Sequence, residues 1–346
     1  MKIPDRTLRT GATVFVLLSG LVAGVGAPSP ARASAADTSS PGEVIHSAPG
    51  PRPPRNASAN GDVIDPLGHW TPERMRSATP LEDSLAERGA SPRSHTATTE
   101  PANSEPRIVV NPVEPTESAA TNEPPRAMAS VGKLFFDGPD THGHVCSGAI
   151  VASRSGNLVH TAGHCVYDPK KPWMKGWMKN FFFVPSYADG TGPLGGWNGN
   201  LAYALTPWMK SGDFSHDQAF ISFYPHSEGE SMQQYFGGNG LTFNESTSRD
   251  GVTIYGYPAA APYQGNIQHY CSGKTSWHRP ASDTTMGCPM THGSDGGPWY
   301  SSLTDDHVGM IYAVTSRRGK DSSGNPYLIA TPNGNDVRTI YNFINN

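Results

Sequence analysis

Three short stretches carry residue types that together do acyl-transfer chemistry. Thr161-Ala162-Gly163-His164-Cys165 sets a histidine behind an apolar run, Asn157-Leu158-Val159-His160, with a cysteine directly after it. Ser215-His216-Asp217-Gln218-Ala219-Phe220-Ile221 places a carboxylate just before a second apolar run. Gly293-Ser294-Asp295-Gly296-Gly297-Pro298 is a glycine-rich turn. Imidazole titrates near neutrality, so it can take a proton and return it. A carboxylate can hold that ring in one orientation. Glycines let neighbouring backbone N–H groups point together at a developing oxyanion. Asp213 competes with Asp217 for the orienting role; Asp217 is preferred because the run Ala219-Phe220-Ile221 follows it directly.

The order histidine, aspartate, glycine-flanked turn resembles that of the chymotrypsin-like serine proteases. Secreted bacterial trypsin-like and glutamyl-endopeptidase-like members carry T-A-G-H-C and G-x-S-G-G-P, which Thr161–Cys165 and Gly293–Pro298 match except at one position. The resemblance spans roughly residues 128–346. It implies His164 as base, Asp217 as its orienter, position 295 as nucleophile slot, and an oxyanion hole from the N–H groups of Gly293 and Asp295. It also implies a peptide or protein substrate and no cofactor.

Asp295 stands where the family has its serine. A carboxylate there is expected to face His164 and favour the protonated imidazole. It cannot act as an alkoxide-like nucleophile, and its charge opposes a second anion in the same hole. Ser294 lies one residue early. Side chains diverge at a sharp turn, so a structural role is expected for it; serine at this position also resembles bacterial members. The expected function is a secreted trypsin-like serine endopeptidase whose activity is weak or lost. The alternative is a catalytically inactive homologue that binds a peptide or protein.

These residues need a scaffold of short strands. From Val131 onward, apolar runs alternate with Gly, Pro, Asn and Asp clusters: Lys133–Phe136, Ala149–Ser153, Asn157–His160, Phe181–Pro185, Ala219–Tyr224, Val252–Tyr255, Ile267–Tyr270, Trp299–Ser301, Val308–Thr315 and Tyr327–Thr331. Many short strands with few helical patterns indicate an all-β sandwich or barrel. One helix closes the chain, capped by Asn335 or Asp336, with Val337, Ile340, Tyr341 and Ile344 on one face. The resemblance makes this two packed antiparallel six-stranded β-barrels with a C-terminal helix. It also pairs Cys146 with Cys165 and leaves Cys271 with Cys288, two disulfides suited to an exported protein.

Ahead of this domain lie two other textures. Residues 1–35 read as a signal peptide: Lys2, Arg6 and Arg9, then an apolar run from Gly11 to Ala27, then Ala31-Arg32-Ala33 or Ala33-Ser34-Ala35 as cleavage pattern. Residues 36–127 are rich in Pro, Ser and Thr, with Trp70 as sole aromatic. Such a segment is expected to stay disordered, as a propeptide or linker, because it buries too little apolar surface to offset chain entropy. Glu123-Pro124-Pro125-Arg126 is a plausible processing point ahead of residues 128–346, the protease-like domain.

The formal net charge of −4 and the lack of a basic stripe argue against a nucleic-acid or membrane partner after signal cleavage. A soluble, extracellular monomer is expected. A metal site built from His142, His144 and Cys146, or from His164, Asp217 and Asp295, is disfavoured because exported cysteines more often pair than ligate. Val314-Thr315-Ser316 is expected to wall the peptide cleft. Arg317, Arg318 or His292 nearby would favour acidic side chains, or form an ordinary charged loop. Trp173, Trp177, Trp197 and Trp208 read as packing anchors.

Overall fold

A computed structural model describes residues 44–53, 65–81, 105–117, 127–171, 175–226, 230–278, 282–304 and 308–346. The signal-peptide segment, the Glu123–Arg126 stretch and Trp173 lie outside the described residues.

Parts of the leader differ from the unstructured segment that its composition suggests. Strand β1 (Ile45–His46), helix α1 (Pro72–Ser77), strand β2 (Thr79–Pro80) and strand β3 (Ile108–Val110) all belong to it. Trp70 is buried to 1 % exposure in the main hydrophobic core, beside Met75. The average over this long segment hides a few apolar residues that neighbouring strands bury.

The first sheet contains β4 (Val131–Asp137), β5 (Gly143–Val151), β6 (Leu158–Thr161), β7 (Lys179–Pro185), β8 (Trp197–Ala204) and β9 (Ala219–Phe223). They pair in the order β8-β7-β4-β5-β6-β9, and a further β8–β9 pairing closes the six into a barrel. Closure removes open edges. Every residue of β4 is buried rather than every second one. The barrel interior takes one face, while Trp70 lies 5.6 Å from Phe135, ring to ring, in packing contributed by the leader.

Two short helices, α2 (Thr206–Ser211) and α3 (Met232–Phe236), sit in connections. The second sheet follows: β10 (Gly240–Phe243), β11 (Val252–Gly256), β12 (His269–Gly273), β13 (Ser276–His278), β14 (Asp283–Gly287), β15 (Pro298–Leu303), β16 (Gly309–Lys320) and β17 (Pro326–Pro332). Its path runs β12-β11-β15-β16-β17-β14-β13, with β10 bridging β16 and β3. This sheet curls into a half-barrel. The all-β class with two barrel-like sheets holds, but only the first closes on six strands among the described residues.

Helix α4 (Asn335–Asn345) ends the chain and buries Val337, Ile340 and Tyr341. Its N-cap is Gly334, in extended conformation, not Asn335 or Asp336. The Asn335 side chain instead accepts from Asn244 Nδ2 at 3.1 Å. Tyr341 Oη donates to the Ala152 carbonyl at 2.6 Å, tying the helix to the end of β5. Both disulfides form, Cys146–Cys165 and Cys271–Cys288, with Cα separations of 6.3 and 5.9 Å. No helix among the described residues is long and apolar enough to cross a membrane.

Candidate active site

The antiparallel pairing of β6 with β9 positions the first two groups. Thr161 is registered opposite Ala219, so the chain leaving β6 and the chain entering β9 emerge at the same end of the barrel. Beyond β6, Gly163–Cys165 makes one 3-10 turn that carries His164, and the disulfide to Cys146 on β5 pins it. Ahead of β9, Phe214–His216 makes a second such turn, capped by the Asp213 side chain, and presents Asp217. A Cβ on Gly163 would come within 3.0 Å of Asp217 Oδ1 and 2.9 Å of the Trp208 ring, so the close approach requires glycine there.

Asp217 is fully buried and holds His164 at two points. Oδ1 accepts the His164 backbone N–H at 2.7 Å, and Oδ2 contacts ring Nδ1 at 2.8 Å. That contact assigns a proton to Nδ1, donated to the carboxylate. Ser316 Oγ donates to the same Oδ2 at 2.6 Å. Burial pulls the His164 pKa down, but the charge and hydrogen bond of Asp217, with the charge of Asp295, outweigh it and raise the pKa above its ordinary value. Asp213 pairs instead with His216, at 3.0 Å.

The turn Gly293–Gly297 enters from the second sheet, just ahead of β15. Gly293 and Gly296 take φ of +96° and +79°, in the left-handed region that favours glycine. A Cβ on Gly296 would meet Thr161 Oγ1 at 2.1 Å and the Ser147 carbonyl at 2.4 Å. The Ser147 N–H donates to the Asp295 carbonyl at 2.8 Å, and Ser147 Oγ donates to that of Gly293 at 2.8 Å. These bonds hold the turn against the first barrel.

Within the turn, the Asp295 carboxylate folds back on its own backbone. Its Oδ2 accepts the Gly293 N–H at 3.2 Å and lies 3.7 Å from His292 Nδ1. Ser294 is buried and turned away: its hydroxyl donates to the Thr291 carbonyl at 2.7 Å. Thus His164, Asp217 and the 293–297 turn come together, while Ser294 is engaged elsewhere.

Sequence reasoning missed Ser147 as a site residue, and it missed the bond to Asp217 made by Ser316, which it placed only in the peptide wall. Each is a common residue in an ordinary strand, and its role arises only where the two sheets meet. Gln218 is a third. Its Oε1 accepts from His160 Nε2 at 2.9 Å, and its Nε2 donates to the carbonyls of Thr331 and Pro332 at 2.8 Å each. His160, wholly buried, has its pKa lowered to about 4 by burial, against the Gln218 hydrogen bond.

The flanking residues divide in the same way. Val314, Thr315 and Ser316 lie on β16. Arg317 is committed to an ion pair with buried Asp283 and stacks over the Phe214 ring at 4.9 Å. Trp208 donates its indole N–H to the Tyr167 carbonyl at 2.9 Å and sits edge-on to His164. Trp177 packs on Tyr167, and Trp197 stacks on His226. His142 and His144 both contact Asp140, at 3.1 and 3.3 Å.

The chain is similar to known bacterial and extremophile proteases. The thermostable serine protease AL20, from an extremophilic microorganism, is 31% identical with a TM-score of 0.57; the match covers 64% of this chain and 99% of that one. The protease Anisep of Arthrobacter nicotinovorans is 28% identical, with 68% and 99% covered and a TM-score of 0.56. A curated relative, the extracellular metalloprotease of Bacillus subtilis, is 26% identical over 225 residues. That match spans 64% of this chain and 64% of the relative's own length. No family model matches the sequence. Cys146, His164 and Cys165 bring ligand-type atoms within 4.8 Å of one another, but both sulfurs are bonded in the disulfide and offer no thiolate.

Proposed function

Because this chain belongs to the chymotrypsin-like serine proteases, we propose that it is an exported endopeptidase-fold protein whose peptidase activity Asp295 leaves weak or lost. The reading rests on one contact above all. The Asp295 carboxylate accepts the Gly293 N–H, a donor that would otherwise polarise the scissile carbonyl. A substrate oxygen must displace a carboxylate from that donor and gain negative charge beside it. Transfer of an acyl group to a carboxylate would also give a mixed anhydride, higher in energy than the amide being cleaved. His164 and Asp217 keep the relative placement of a base and its orienter. The scaffold is therefore intact where the nucleophile slot is not.

Loss of the nucleophile hydroxyl in such a site lowers turnover by on the order of 10⁶. Asp295→Ser is expected to create labelling by a fluorophosphonate probe and hydrolysis of peptide substrates, both near background in the wild type. Wild-type labelling at Ser294 with ordinary turnover would overturn the reading. The second reading, a module that binds a peptide or protein without cutting it, draws on the same contact. It predicts that the wild-type cleft retains a peptide which the Asp295→Ser variant hydrolyses.

A further inference from the structure

The leader makes contacts of a kind that a linker or loose tether does not. Buried Asp65 accepts the N–H groups of Leu67, His69 and Trp70 at 2.9, 3.0 and 2.8 Å, which folds the chain into a tight turn. Its Oδ1 also takes the Asn198 side-chain amide from β8 at 2.7 Å. The turn seats Trp70 against Phe135, and its indole N–H donates to the Asn180 carbonyl at 2.6 Å. Helix α1, capped by Thr71, then carries Met75 into the core and Arg74 to Asp137 at 2.7 Å. Asp137 lies at the end of β4, is buried, and also meets His69 Nε2 and Asn180 Nδ2 at 2.8 Å each. The carboxylate buried there is paired with the leader's Arg74 guanidinium, so removing the leader would leave it without that cation.

Two other leader stretches dock as added strands. Ile45 and His46 pair antiparallel with Ala204 and Tyr203 on β8, and Gly50 lies so close to Gly199 that a Cβ would meet its carbonyl at 2.3 Å. Ile108–Val110 pairs antiparallel with Leu241–Phe243 on β10, and Arg107 pairs with buried Glu245. The three stretches grip both sheets. All four cysteines lie beyond residue 127, so no disulfide ties the leader to the rest. None of these contacts involves His164, Asp217 or Gly293–Gly297, so they fit a clamp better than a plug in the cleft.

We infer that residues 44–53, 65–81 and 105–117 form a permanent clamp on the peptidase fold: once the chain is cut ahead of Ala127, the leader stays bound as a separate, noncovalent chain. The inference does not depend on whether Asp295 permits catalysis.

The test is a full chain with a sequence-specific protease site placed within residues 118–126, cut to completion and passed over a sizing column. Both pieces are expected to co-elute in native buffer and to separate only in denaturant. Release of the leader in native buffer, whatever becomes of the remainder, overturns the inference. Trp70→Ala and Arg74→Glu, made in the same cut protein, are expected to speed leader release by on the order of 100-fold or more. Arg74→Glu keeps the test readable if Trp70→Ala does not fold, because Arg74 sits at the rim of the contact. Release as slow as in the unsubstituted protein would show that the grip does not lie in residues 65–81.

Discussion

Ser316 Oγ donates to Asp217 Oδ2 at 2.6 Å, so a strand of the second sheet fixes the acid that the first barrel presents to His164. With the His164 backbone N–H and ring Nδ1, this carboxylate faces three donors. It is held in one rotamer. Asp217→Asn, made in the Asp295→Ser protein, keeps the shape but turns an N–H toward a ring that needs an acceptor. The imidazole then takes the other tautomer. kcat is expected to fall by about 10⁴-fold with the far-UV circular dichroism unchanged. A fall of less than tenfold would remove Asp217 from the orienting role.

The charge around His164 sets a pH dependence with a definite sign. Burial lowers the imidazole pKa, yet Asp217 and Asp295 together raise it above 6.5. A folded pKa above the unfolded value stabilises the fold fully below the unfolded value. That stabilisation is lost as pH rises through the folded pKa. Asp295→Asn removes one of the two acids and is expected to lower the His164 pKa; Asp217→Asn is expected to lower it further. Ring-proton NMR titration reads both shifts. An unchanged value in Asp295→Asn would show that the carboxylate exerts no field on the ring.

The Cys146–Cys165 bridge links β5 to the turn that bears His164, and Cys165 adjoins His164 itself. Replacing both cysteines by alanine is expected to cost about 2–4 kcal/mol of stability. In the Asp295→Ser background kcat should fall while KM changes little, since the bridge positions the base rather than the peptide wall. Replacing Cys271 and Cys288 should cost a similar stability and leave kcat nearer its starting value, because neither cysteine belongs to the turn that bears His164. Equal losses of kcat in both double variants would contradict this division.

How far the site was legible depended on how local each signal is. His164 and Asp217 could be read because each sits in a short stretch whose neighbours declare a strand end. Ser147, Gln218 and the bond from Ser316 to Asp217 could not, because the partners lie in segments remote in sequence and only strand register brings them together. The same holds for β8: it is not among the expected strands, yet β7 and β9 pair with it on both sides and impose one. Strands β10, β13 and β14 were hidden similarly, since ladder pairing rather than alternation makes them. The buried Trp70 was obscured by averaging over a long proline-rich segment. Arg317, read beside the peptide wall, turned inward because Asp283 is buried beneath it and needs a cation.

Lys133 offers a test of the core behind the site. It lies on β4, is buried, and its ammonium donates to the Gly265 carbonyl at 2.7 Å while standing 4.8 Å from the centroid of the Tyr187 ring. Burial lowers its pKa to about 8 from 10.5. The unfolded chain therefore binds more protons than the folded one between those two values, and stability must rise with pH across that window. The full rise from this one group is on the order of 3 kcal/mol, at 1.36 kcal/mol per unit. Lys133→Met removes the titrating group, so the difference in stability between wild type and variant should shift in favour of wild type from pH 8 to pH 10.5. Urea unfolding at several pH values measures that difference directly. A difference independent of pH would mean that the Gly265 carbonyl and the aromatic rings hold the ammonium as well as water does, and that its burial carries no electrostatic cost.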